Sequence, residues 1–266
     1  PKAAISVTII LLLRGAKYIV SSAVSSLDQS MSAGQTNLLQ VLQKRVETLH
    51  TEGKLEDALR VAQTAVDTAR RNVQSDPGTM PQLVSTLLMC ADLRRMCNDY
   101  DGAEKVYLEG LNLASEVSVA GHVDVPNLEI ARLQSGLASL YDFTSREDRA
   151  IPLYREAIER FEGDQNPEYG EAAYLCNNLA MIYKAQGHYE ASEGYYLKAL
   201  QVFEAERGSA HSSVATVLNN LGGLYTFMNK PSQKAARTWV SLSATWQRFI
   251  TSLTTSTMPK STTKLR

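Results

Sequence analysis

Cysteine is scarce in this chain and odd in number: Cys90, Cys97 and Cys176 are the only three in 266 residues. None is spaced as CxxC or as a Cys/His ligand set, which argues against a disulfide framework and against a structural zinc site. Each falls in an apolar helical pattern, so the three read as small core hydrophobes in a reducing compartment. The four histidines, His50, His122, His188 and His211, are widely separated. There is no HExxH, no glycine-rich phosphate loop after a strand and no GxSxG elbow. Acidic pairs such as Glu56/Asp57 and Glu147/Asp148 stand where helix starts favour negative charge, and so need no catalytic explanation. No enzyme activity, cofactor or metal is expected. Surplus charge is also lacking: the formal net charge is −1 and the basic residues form no stripe, which argues against nucleic acid as the main partner.

The amino-terminal end lacks acid altogether. From Pro1 to Leu27 there is no Asp or Glu, while Lys2, Arg14 and Lys17 are interleaved with serines and an apolar run from Ala3 to Leu13. Residues 1–35 therefore support three readings: an organelle transit peptide or membrane anchor, a secretory signal, or a plain amphipathic first helix. A membrane contact would run through residues 3–24. The compartment stays open between the cytoplasm and an organelle membrane, the mitochondrial one included. At the other end, residues 250–266 are rich in Ser and Thr with almost nothing to bury, the composition of a disordered tail.

What the chain does have is a period. NNLAMIYKAQGHYE (177–190) and NNLGGLYTFMNKP (219–231) share one helix start, and Leu137, Leu179 and Leu221 each stand 42 residues from the next, as do Tyr141, Tyr183 and Tyr225. A fixed interval of this size marks a repeat array, in which one helical hairpin cannot bury its apolar face alone and neighbours must stack. In the clearest copy a first helix is expected over about Ala172–Gln186, with Cys176, Leu179, Ala180 and Tyr183 on its buried side. Gly187 should end it, because glycine takes the left-handed conformation past a helix end without steric cost. A second helix over about Tyr189–Glu206 carries Ser192, Tyr196 and Ala199. The preceding copy repeats this through Leu137, Ala138, Tyr141, Ala150, Tyr154 and Ala157. Two earlier copies are looser, one with Ala91, Tyr100, Ala103 and Tyr107, the other with Gly53, Ala58, Ala62 and Ala65. The fifth begins over Val214–Phe227, but Pro231 displaces its second helix, to about Gln233–Phe249.

This pattern resembles the tetratricopeptide repeat, whose signature sets Leu-Gly, Tyr, Ala, an aromatic and Ala at fixed offsets. The eight or so residues beyond the usual period of ~34, together with NNLA and a following Tyr, are similar to the kinesin light chain type of repeat. The resemblance implies an all-α right-handed superhelix, an α-solenoid of about five helical hairpins, over residues 36–249. It also implies that the first helices line a concave groove. Opposite Leu179 and Tyr183 lie Tyr174, Asn178 and Met181; the shift of 42 adds Thr216, Asn220 and Phe227 on one side, and Arg132, Ser139 and Phe143 on the other. Asn177 and Asn219 fall at the groove's edge. An Asn at one place in successive repeats suits an extended peptide, because its amide both donates and accepts; the same two amides could instead bridge neighbouring helices. The cationic clamp that other tetratricopeptide proteins set against a chaperone's terminal carboxylates is mostly absent, since the matching places read Gln40/Lys44, Met89 and Arg132/Gly136. The expected function is a non-enzymatic adaptor holding an extended or helical segment of a protein partner. The alternative is an assembly or maturation factor at an organelle membrane, or a structural subunit of a large complex.

Overall fold

The computed structural model describes residues 38–120, 125–163, 169–209 and 211–228. The apolar amino-terminal segment, the displaced helix expected near Gln233–Phe249, the Ser/Thr-rich tail and His122 lie outside the described residues. What is described is helical: α1 (38–51), α2 (Leu55–Ser75), α3 (Met80–Met96), α4 (Tyr100–Ala120), α5 (Asn127–Phe143), α6 (Glu147–Gly163), α7 (Tyr169–Ala185), α8 (Tyr189–Arg207) and α9 (Ser212–Phe227). They fall into two compact units divided between Val125 and Pro126.

One turn recurs four times and explains why the helices come in pairs. Gly53, Asn98, Ser145 and Gly187 each adopt a left-handed backbone, with φ of 75°, 62°, 56° and 78°. Each donates its amide to the carbonyl three residues back, and the next amide reaches the carbonyl five back. After Gly187 these bonds are Gly187 N to Lys184 O at 3.1 Å and His188 N to Tyr183 O at 2.8 Å. The same two bonds follow Ser145, from Ser145 N to Asp142 O and from Arg146 N to Tyr141 O. This is the Schellman arrangement, which satisfies two terminal carbonyls and reverses the chain in the fewest residues. The second helix of each pair starts at once, and its first buried residue is Ala58, Ala103, Ala150 or Ser192. Acidic side chains stand in the first turn of α2 (Glu56, Asp57) and of α6 (Glu147, Asp148), where they offset the partial positive charge of the exposed amides.

Only two of the four left-handed residues are glycine. An L-residue with a side chain holds that conformation at a cost of about 1–2 kcal/mol, while glycine gives back about 0.5–1 kcal/mol through its freer unfolded chain. Ser145→Gly is thus expected to stabilise the protein by about 0.5–1 kcal/mol, and Gly187→Ala to destabilise it by about 1 kcal/mol. Urea midpoints of the two variants should move in opposite directions from the parent; movement in the same direction would refute the reading of these turns.

In the first unit, Leu39, Val46 and Leu49 of α1 meet Ala58, Ala62, Ala65 and Val66 of α2 and Leu83, Leu87 and Cys90 of α3 in one buried cluster. The second unit stacks α5 on α6, α6 on α7, α7 on α8 and α8 on α9. Small residues sit where paired helices cross: Ala138 with Ala150, and Ala180 with Ser192, are all fully buried. The hydroxyl of Ser192 donates to the carbonyl of Ala180 at 2.7 Å, so a polar group is accommodated at the closest approach without an unmet hydrogen bond. Tyr107, Tyr154 and Tyr196 fill the space between hairpins and are wholly buried. Tyr183, expected in the core, is half-buried and stacks on Tyr195 at 5.7 Å instead. Cys90 and Cys176 are core residues as expected, but Cys97 caps the end of α3 and is half-buried.

Candidate functional site

In the second unit α5, α7 and α9 present one face, and three side-chain bridges define how they line up. Arg132 of α5 reaches Glu171 of α7, with Nη2 3.3 Å from Oε1 and Nε 3.5 Å from Oε2, and lies 3.9 Å from Glu129 on its own helix. One repeat later the same rung is uncharged: the hydroxyls of Tyr174 and Ser213 are 3.0 Å apart, and again the partners are separated by 39 residues. The third bridge joins amides, with Asn220 Nδ2 donating to Asn177 Oδ1 at 2.9 Å.

These bridges redistribute the residues that the sequence assigns to a groove. Arg132 spends its charge on Glu171. Tyr174 keeps 44% of its surface exposed, yet it is also a corner post: Arg207 donates to its hydroxyl at 3.1 Å and lies over its ring, and Phe203 meets that ring edge-on at 4.8 Å. Asn177, expected at the groove's edge, is buried. Its amide nitrogen donates to Asn178 Oδ1 at 3.4 Å and, more weakly, to Met181 Sδ at 3.8 Å. Asn177 thus takes the helix-bridging part, with Asn220 as donor, while Asn178 remains half-buried on the open face. Thr216 and Asn219 are exposed, and the Thr216 hydroxyl is turned back onto the carbonyl of Ser212 at 3.0 Å. Phe143, Met181 and Phe227 keep 70%, 47% and 63% of their surfaces exposed. Large apolar side chains left in water on one face mark a surface suited to a partner.

Tyr154 and Tyr196 of the second unit and Tyr107 of the first are buried tyrosines that the sequence marks as packing residues, but their hydroxyls behave differently. Tyr107 donates to Asp92 at 2.5 Å. Tyr154 donates to Ser139 at 3.3 Å, with Asp142 at 3.5 Å. The Tyr196 hydroxyl, equally buried, has no partner. Burial pushes the Tyr154 and Tyr196 phenols up to about 12, so both are neutral donors at physiological pH. Burial likewise raises the Asp92 and Asp142 carboxyls.

Burial raises all three thiols, Cys176 to about 12, which leaves them protonated and poor nucleophiles. His188 and His211 precede α8 and α9 as N-cap residues, and His211 Nδ1 accepts the amide of Ser213 at 3.2 Å. Among the described residues no group of three His, Cys, Asp or Glu side chains could hold a metal ion. No helix among them is long and apolar enough to cross a membrane.

Residues 170–233 match the tetratricopeptide repeat family model. Among solved structures, BtubC (BKLC) from P. vanneervenii is 27% identical and superimposes with a TM-score of 0.53 over 80% of this chain and 96% of that one. A Podosopora anserina putative kinesin light chain with nearly identical TPR-like repeats shares the fold, with a TM-score of 0.60 over 79% of this chain and 95% of that one at 13% identity. No curated protein matches the chain. The described hairpins thus share the fold of the tetratricopeptide repeat structures they resemble, and the fold class is an α-solenoid.

Proposed function

We propose that the chain is an adaptor whose α5, α7 and α9 face holds an extended segment of a partner protein. The observation that carries this reading is the alignment of exposed Phe143, Met181 and Phe227 with half-buried Asn178 and Asn220 on one face of stacked repeats. Apolar side chains at that spacing offer anchors for alternate residues of a bound strand, and the half-buried Asn178 amide, whose oxygen already accepts from Asn177, keeps a second lone pair for its main chain. Tetratricopeptide scaffolds in general join proteins to one another, and the repeat likeness supports that use here.

The test is differential capture from native lysate. Intact chain is compared with an Asn178→Ala, Phe227→Ser double variant, chosen because it leaves the Asn177–Asn220 bridge in place. Anchor residues of interfaces cost 2 kcal/mol or more when truncated, so about a tenfold or greater loss of specific partners is expected. Circular dichroism should be unchanged. An unaltered partner set would move binding away from this face and end the groove reading.

A further inference from the structure

Asn178 and Asn220 stand in register on α7 and α9, and each follows a fully buried tyrosine by 24 residues, Tyr154 in one case and Tyr196 in the other. The two amides are nevertheless held differently. The Tyr154 hydroxyl directs its hydrogen at α5, to Ser139 Oγ at 3.3 Å with Asp142 Oδ2 at 3.5 Å. Burial holds its phenol up at about 12, while the side chains that hydrogen-bond with it, Ser139 of α5 and Asn178 of α7, lower it. With its hydrogen committed to α5, the phenol has only lone pairs to offer Asn178, so the amide turns Nδ2 toward it. The other end of the amide agrees, because Asn178 Oδ1 accepts from Asn177 Nδ2 at 3.4 Å. One repeat on, the places of Ser139 and Asp142 are taken by Met181 and Lys184, a weak acceptor and a group that accepts nothing. The Tyr196 hydroxyl has no partner, and Asn220 turns sideways to donate to Asn177 at 2.9 Å.

We infer that Tyr154 is a positioning residue for the partner face: with Ser139 and Asp142 behind it, its hydroxyl acts together with Asn177 to turn the Asn178 amide one way, leaving the second N–H and the second Oδ1 lone pair for the bound segment in a set order. An amide free to turn over presents donor and acceptor in either order. Fixed at both ends, it presents one order before a partner arrives, and less freedom is lost on binding. Packing alone does not account for the hydroxyl, since Tyr196 fills its own site with the oxygen unbonded. The inference rests on the groove reading and adds the buried group that sets one amide within it.

The test is nuclear magnetic resonance of the full chain carrying isotope-labelled asparagine, with hydrogen exchange followed at the side-chain amides of Asn178 and Asn220. In Tyr154→Phe the Asn178 amide protons should exchange about fivefold faster or more, the equivalent of one lost hydrogen bond, while those of Asn220 change less than about twofold. Tyr196→Phe should leave both amides as they are. The double variant Ser139→Ala, Asp142→Ala keeps the Tyr154 ring in place and should also unprotect Asn178, because the hydroxyl then donates to the amide oxygen and the amide turns over. Asn178 protection that survives both the Tyr154→Phe and the Ser139→Ala, Asp142→Ala changes, or that is lost equally in Tyr196→Phe, overturns the inference. Lysate capture decides the groove separately: Tyr154→Phe should retain about fivefold less of the specific partners and Tyr196→Phe should retain them all. Equal capture by these two, with loss still seen in the Asn178→Ala, Phe227→Ser variant, overturns the positioning role and leaves the groove standing. Partners retained by that last variant end both.

Discussion

Tyr154→Ala is expected to destabilise the second unit by about 3–5 kcal/mol, the cost of emptying a fully buried aromatic site. The ring is wholly inaccessible and lies on the buried side of α6 with Ala150 and Ala157. Small neighbours of that kind can move little to fill the space, so most of the cavity would persist. The hydroxyl's bond to Ser139 would be lost as well. In α2 the corresponding residue is already Ala62, and there Leu39, Leu49, Leu83 and Leu87 of the neighbouring helices supply the volume. The second unit has no such replacement built in. Hydrogen exchange of the intact chain supplies the measurement: protection across α5, α6 and α7 should collapse by orders of magnitude. Protection held within tenfold of the parent would refute the packing account.

A second large effect comes from removing single oxygen atoms. Tyr107→Phe leaves Asp92 without its 2.5 Å donor in a site where burial already raises that carboxyl, and should cost about 1–3 kcal/mol. Arg95, 3.7 Å from Asp92, would limit the loss. Tyr196→Phe removes a hydroxyl that has no bond to lose. Its expected change is nil or slightly stabilising, because an unmet buried donor is itself unfavourable. Urea titrations of the two variants side by side give the comparison. Equal losses would mean that the Tyr196 hydroxyl is bonded after all.

These two tyrosines also show where reading the sequence stops. Tyr107, Tyr154 and Tyr196, with Ala103, Ala150 and Ser192 before them, were legible as packing residues because the repeat places them at helical spacing. So were α7 and α8, whose ends differ from expectation by no more than three residues. Whether each hydroxyl is satisfied depends on the residue opposite it on another helix, and no periodicity carries that information. The groove shows the same limit. Neighbouring residues on a helix differ by about 100° in direction, so a modest rotation of α7 against α9 decides whether Asn177 or Asn178 faces the next repeat. The packing buries Asn177 and gives it the bond from Asn220. The half-burial of Tyr183 and the pairing of Arg132 with Glu171 are likewise settled between helices. At Ser145 the left-handed turn was hidden because neither glycine nor asparagine, the residues that usually announce it, stands there.

The bridges between successive first helices bear on how the chain comes to be folded. Gln43 with Thr86 and Asn177 with Asn220 each span 43 residues, and Arg132 with Glu171 and Tyr174 with Ser213 span 39. Contacts this local cost little loop-closure entropy, which favours rapid folding. Each hairpin can be completed once the one after it has left the ribosome, so order can grow from the amino-terminal side while synthesis of the rest continues.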